Sequence, residues 1–281
     1  MKIIGVDFTS RPSKRKPITC ASCHLAGGLL RFEAFLDLPS FADFEAVLSS
    51  PGPWIAGIDF PFGMPLRFLD TVEADEWRRP WPDYVAHARS LGRSGFRDAL
   101  ERYKAPRPVG DKEHRRAADQ AARSISPQKL YGVPVALMFF EGAVRLIQAG
   151  VHVPLLHATG DPRVVVEAYP GVLARRLIGK RSYKSDDRRK QTAEQKDARA
   201  GLLEKLLSPS LAHGCGVRVE APAALAEDPS GDRLDALLCA VQAAWAWRER
   251  DRNYGIPAQA DRREGWISDP GLHQALDGSP A

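Results

Sequence analysis

Two short apolar runs in this chain end in the same way. Met1-Lys2-Ile3-Ile4-Gly5-Val6-Asp7-Phe8-Thr9 opens it, and Trp54-Ile55-Ala56-Gly57-Ile58-Asp59-Phe60-Pro61 repeats the pattern. Each reads as a strand buried on at least one face, finishing in a single carboxylate followed by an aromatic ring. A carboxylate in that position is costly to bury alone, so Asp7 and Asp59 each call for a metal, a cation or a hydrogen-bond donor. A further run, Arg163-Val164-Val165-Val166-Glu167, also finishes in a carboxylate. Near the far end of the chain, Asp232 and Asp235 stand at the start of a helix. For a lone Asp the ordinary explanation is a helix cap or a turn, but a strand-end Asp after an apolar run is uncommon.

Positioning these acids requires a sheet. Thr9 to Lys16 is polar and carries Pro12, which marks a turn; Ile18 to Ala26 and Leu29 to Phe35 read as two strands broken by Gly27-Gly28. Pro39-Ser40 opens a short helix with Phe41, Phe44, Val47 and Leu48 on one side, and Pro51-Gly52-Pro53 stops it. A strand reached through a helical crossover lies parallel to its neighbour. With the first strand as that neighbour, Asp7 and Asp59 share the carboxyl end of the sheet, where open α/β sheets bind ligands.

Residues 63–160 are rich in Trp, Arg and Pro, with a helix from about Val135 to Gln148. They read as a helical insertion that covers the site. The core is therefore expected in 1–62 and 161–250, with the insertion inside the same domain. In its second part, a charged linker (Lys180 to Lys190) precedes a helix from Thr192 to Leu207. Asp228-Pro229-Ser230-Gly231 starts the last helix, whose apolar stripe is Leu234, Leu237, Leu238, Val241, Ala244 and Trp245. Asp235 sits at the edge of that stripe and Asp232 one turn earlier, nearer solvent. Residues 251–281 read as a polar tail on the surface.

The 281 residues carry a formal charge of +5, with 44% hydrophobic and 27% charged residues, as in a soluble globular protein. No apolar run approaches bilayer length and no signal peptide is visible, which predicts a cytoplasmic protein without a membrane partner. Arg11, Lys14, Arg15 and Lys16 crowd the first turn. If the first two strands pair antiparallel, that turn stands at the carboxyl end of the first strand, at a distance suited to the phosphates of a nucleic acid. Cys20-Ala-Ser-Cys23-His24 matches a haem-attachment pattern, and Cys20 and Cys23 with His213 and Cys215 offer zinc ligands. The first pair falls inside a strand, however, where residues three apart point to opposite faces.

Three meandering strands, a helix, a parallel strand, a further strand and a closing helix resemble the order of the ribonuclease H-like fold. Asp232-Arg-Leu-Asp235-Ala-Leu resembles the closing-helix start of RuvC-type junction resolvases. More closely, Gly5-Val6-Asp7-Phe8-Thr9, Gly57-Ile58-Asp59-Phe60-Pro61, Glu167-Ala168-Tyr169-Pro170 and Asp235-Ala236-Leu237-Leu238-Cys239-Ala240 look like the signature blocks of a family of predicted RNase H-like nucleases, domain of unknown function 429. The resemblance runs from Met1 to about Trp247. It implies an α/β fold with a mixed sheet flanked by helices, and hydrolysis of DNA or RNA phosphodiesters with two Mg²⁺ or Mn²⁺ ions. Such ions, about 4 Å apart, activate a water and stabilise the leaving oxygen. Asp7 would bridge both ions, Asp59 would hold one and Asp235 the other, with Asp232 as an alternate. Glu167 is a fourth catalytic ligand, an orienting group, or the partner of an insertion arginine. Two other classes remain open: a nucleic-acid-binding protein of the same fold without turnover, and an actin-like phosphotransferase, whose phosphate loop also starts as Asp7-Phe8-Thr9-Ser10 does.

Overall fold

Strand register decides which of these carboxylates can meet. The structure, a computed structural model, describes residues 1–185 and 188–272. Strands β1 (Lys2–Asp7), β2 (Ile18–Ala26) and β3 (Leu29–Leu38) form an antiparallel meander. Helix α1 (Phe41–Leu48), held at its start by a reciprocal Ser40–Asp43 capping box, then carries the chain across the sheet. The chain returns as β4 (Trp54–Ile58), parallel to β1, with Ile4 opposite Ala56 and Val6 opposite Ile58. Strand β5 (Arg163–Glu167) adds outside β4, again parallel, with Ile58 opposite Glu167. Among the described residues the sheet has six strands in the order β5-β4-β1-β2-β3-β6. The last, β6 (Arg218–Glu220), pairs parallel with β3 and was not expected from the sequence. Its three residues bury only Val219, too short a run to give a periodic signal.

Successive side chains alternate across the sheet, so each strand feeds two cores. Ile4, Val6, Ala56, Ile58 and Val165 face one side, and Ile3, Ile55, Val164 and Val166 face the other. The first side is covered by α1 and by residues 63–160, with helices α2 (Leu66–Thr71), α3 (Trp81–Ser90), α4 (Gly92–Lys104), α5 (Ala117–Ala122) and α6 (Val135–Ala149). One apolar core runs from sheet into insertion, with aromatic pairs in both parts: Phe8 lies 4.9 Å from Phe60 and Phe60 4.7 Å from Phe62, and within the insertion Phe96 lies 6.0 Å from Phe139, between ring centres. The second side is covered by α7 (Pro170–Ile178), α8 (Ala193–Leu207), α9 (Pro209–Cys215) and α10 (Asp232–Arg248). Helix α10 is buried almost all round rather than along one stripe, because it lies on β1 and β4 with α7 and the Arg250–Gly255 turn packed against it.

The tail departs from the sequence expectation. Trp266, Ile267, Ser268 and Asp269 are buried, Ile267 bridges to Glu167 at the end of β5, and Glu264 accepts from the backbone amides of Leu66 (2.6 Å) and Ala117 (3.0 Å). The polar composition differs from the outcome because Glu264 serves buried backbone donors and Asp269 serves Gln242 and Arg176 rather than solvent. Residues 273–281 of that tail, and Asp186 and Asp187 of the charged linker, lie outside the described residues. Among the described residues no helix is long and apolar enough to cross a membrane.

Candidate active site

A parallel rung links the two strand-end acids. The Asp59 amide donates to the carbonyl of Val6 at 3.0 Å, which extends the β1–β4 ladder one step and sets Asp59 beside Asp7 on neighbouring strands. Adjacent strands lie about 4.8 Å apart. Both acids follow a glycine by two residues, so Gly5 and Asp7 share a face, as do Gly57 and Asp59. Gly5 and Gly57 are also paired across the two strands. A Cβ at Gly5 would come within 1.9 Å of the Ala236 carbonyl oxygen, and one at Gly57 within 2.4 Å of that of Cys239. The pair is thus a bare platform on which the backbone of α10 rests, and that close approach brings Asp235, in the first turn of α10, down to Asp7 and Asp59.

The start of α10 favours anions twice over. Asp232 and Asp235, three residues apart, occupy one side of its first turn, where the helix dipole stabilises negative charge. Gly231 in the left-handed conformation takes the cap position. Beside it, the side chains of Asp228 and Ser230 accept from the first-turn amides of Arg233 (3.2 Å) and Asp232 (3.3 Å). The absent Cβ of Gly231 leaves room for the Lys184 side chain, which a Cβ would approach to 2.8 Å.

Lys184 is the central residue that sequence spacing missed. Its ammonium donates to Asp235 Oδ2, while the Tyr183 hydroxyl donates to Asp235 Oδ1 at 2.5 Å. Burial pushes the Asp7 carboxyl well above its usual range, Lys184 draws it back, and Asp235, Asp232 and Asp59 push it further up. Burial, with Asp235 adding to it, raises Asp59 to about 7. Asp232 is raised by burial and drawn back by Lys184 and Lys16. Burial works against the Lys184 charge, yet Asp235 and Asp7 outweigh it and hold the ammonium well above its usual range. Among the described residues, four acids therefore share the half-buried Lys184, with Lys16 adding at Asp232, and the cluster carries more negative charge than these cations offset. Lys184 sits in a run of cations, Lys180 to Lys190, in which nothing about its spacing sets it apart.

Glu167 does not join them. Its register partner Ile58 faces the insertion, and so does Glu167, on the opposite side of the sheet from Asp7 and Asp59. There Arg116 donates to both its oxygens, at 2.5 and 2.8 Å, and the Phe62 amide adds a third bond at 2.9 Å. Arg116 is itself 1% exposed and also holds Asp119 through two bonds of 2.9 Å. Of the roles open to Glu167 in the sequence, the geometry matches pairing with an insertion arginine. Gln242, also overlooked, clamps the strand end from α10: its amide oxygen accepts from the Tyr169 amide at 3.0 Å, and its amide nitrogen donates to the Tyr169 carbonyl at 3.1 Å and to Asp269 at 2.8 Å.

The cluster opens on two hollows. A groove of about 950 Å³ is lined by Asp232, Arg15, Lys16, Arg189 and Arg233, among others. Of the four first-turn cations, Arg15 and Lys16 reach this groove, whereas Arg11 and Lys14 are not among its walls. A smaller pocket of about 210 Å³ lies on the other side, with Asp59 in its wall.

The family model described as "Protein of unknown function (DUF429)" matches residues 5–262, a span holding all of these acids. The chain belongs to this family. No curated protein and no solved structure matches it. In this DUF429 protein, Cys20 and Cys23 face opposite cores, and burial raises both thiols to about 12. Among the described residues, no group of three or more His, Cys, Asp or Glu side chains is disposed to hold a metal ion. The ammonium of Lys184 faces Asp235 and Asp7 instead.

Proposed function

We propose that this DUF429 protein is a metal-dependent nuclease of the ribonuclease H-like type, hydrolysing phosphodiester bonds of nucleic acid at Asp7, Asp59 and Asp235. One observation carries the reading: three carboxylates from two paired strands and a helix, electrostatically under-compensated, beside a groove lined with cations. A cluster built only for stability would be matched by partners.

The donor set suits Mg²⁺ or Mn²⁺, since it offers carboxylate oxygens with neither thiolate nor imidazole, and Lys184 already stands in as the cation. Asp7, Asp59 and Asp235 would hold the ions, with Asp232 at the outer edge. When bound there, divalent ions supply an activated water and neutralise charge developing on the phosphoryl group. The chain's own groups do the rest. Tyr183 fixes the orientation of Asp235 through its hydroxyl, and the Lys184 ammonium, on a flexible stem, can turn from Asp235 to a phosphate oxygen. Arg15, Lys16, Arg189 and Arg233 hold flanking phosphates.

A second reading, binding of nucleic acid without turnover, draws on the same lysine. An ammonium that already satisfies Asp235 leaves less need for a metal. Cleavage of single-stranded, duplex and branched DNA and RNA separates the two. Under the nuclease reading, products appear with Mg²⁺ or Mn²⁺, vanish with chelator and vanish in Asp7→Asn, whose metal-free melting temperature equals or exceeds that of wild type. Full activity after exhaustive metal removal would sink the two-ion mechanism, and binding without cleavage under any metal would leave the second reading.

A further inference from the structure

We infer that the 210 Å³ pocket between the ends of β4 and β5 and the helical insertion is a subsite for one unstacked base of the substrate strand. The inference rests on the nuclease reading and names its substrate form. The pocket shares Asp59 with the carboxylate cluster, while the basic groove on the other side shares Asp232. Asp59 and Asp232 both act on Asp7, so a ligand spanning the two hollows crosses the carboxylate cluster. Its anionic part belongs in the groove, where cations line the walls. What enters the pocket must be different.

The pocket's chemistry is that of an apolar ring site. Pro61, Ile125, Val133, Met138, Tyr169 and Ile267 supply apolar and aromatic surface. Among the described residues, Ile125 and Val133, at 44% and 53% exposure, are two of the few large aliphatic side chains left in water. Both stand in a wall contributed by the insertion. Arg116, the cation in the pocket's lining, is already divided between Glu167 and Asp119, and Ser124 donates to Asp119 at 2.8 Å. With no free cation in the Arg116 network, a phosphate is a poor occupant. Size narrows the choice further. Sites for drug-sized ligands span roughly 300–1,000 Å³, so this one suits a single ring system rather than a base pair or a whole nucleotide. Apolar and aromatic walls bind any base through its face, with little regard to sequence. The insertion thus holds a base while the sheet presents the carboxylates, and the strand must be single or locally opened.

The test is binding, in Ca²⁺ to suppress turnover, of single-stranded oligonucleotides in which one abasic position is moved along the strand. In wild type, one position is expected to weaken binding by about ten-fold or more, with the others near neutral. 2-Aminopurine placed there should change its fluorescence on binding. Val133→Asp, at an exposed rim position where folding is not at stake, should bring the intact strand down to the abasic level and abolish the difference. Equal binding of the intact strand and every abasic strand to wild type would overturn the subsite while leaving the nuclease reading in place. Absence of any nucleic-acid binding would overturn both.

Discussion

The carboxyl end of the sheet presents acids on both faces, and the two sets are treated in opposite ways. On the insertion face, Glu167 and Asp119 share Arg116, every oxygen of Glu167 is hydrogen-bonded, and all three side chains are sealed from water. On the α10 face, Asp7, Asp59 and Asp232 keep partial exposure, share Lys184 with the buried Asp235, and are pushed up by burial and by neighbouring acids. Carboxylates at neighbouring strand ends thus serve two ends. A matched acid locks the insertion onto the sheet. A crowded, under-matched one leaves charge in reserve for something that arrives later.

The largest expected effect lies on the matched face. Arg116→Met strands two buried carboxylates, and breaking such a network typically costs about 3–5 kcal/mol. Denaturant unfolding should show that loss, and adding Glu167→Gln and Asp119→Asn should recover part of it. A loss under about 1 kcal/mol would dissolve the contrast between the faces.

On the crowded face the sign reverses. Asp59 in the metal-free protein titrates at about 7, above its value in an unfolded chain. Between roughly pH 4 and 7 the folded state therefore binds more protons than the unfolded state, and the contribution of Asp59 to stability falls as pH rises through that window. Asp59→Asn removes the penalty. In chelator it should be more stable than wild type by about 1–3 kcal/mol at pH 8 and nearly equal at pH 4. A variant less stable at pH 8 would mean that Asp59, like Glu167, has a dedicated partner.

How much of this the sequence reveals depends on how local the determining physics is. Strand-end Asp7 and Asp59, the meander, the crossover and the acidic start of the last helix are legible because each rests on periodicity or on chemistry within a few residues. The glycines two positions before each acid were also in view, and their meaning was available: same-face glycines let a backbone approach. The side taken by Glu167 was not legible, since it follows from pairing with Ile58, a register that no feature of Arg163–Glu167 encodes. Lys184 and Arg116 lie in runs of like cations, where burial rather than identity marks the one that matters. Residues 261–269 read as solvent-facing because the partners of Glu264 and Asp269 come from distant segments, Leu66 and Ala117 for the first and Arg176 and Gln242 for the second.

The smallest effect concerns the groove, and it asks whether the crowded face is open to a polyanion at all. Arg15 and Lys16 stand in the groove wall with Asp232, whereas Lys14, from the same turn, does not. All three belong to one exposed loop, so a merely solvated turn would treat them alike. If phosphates lie in the groove, each contact contributes about one unit to the slope of log affinity against log salt concentration. Arg15→Ala with Lys16→Ala should then flatten that slope by up to about two units, and Lys14→Ala alone should leave it near the wild-type value. Stability should hardly move in either variant, because exposed charges contribute little to folding. The measurement is a salt titration of oligonucleotide binding in Ca²⁺ for wild type and both variants. Identical slopes for all three would separate the basic turn from the carboxylates and leave the crowded face facing a small phosphate ester rather than a strand. An equal loss from Lys14→Ala would mean that general charge, not the groove, attracts the ligand.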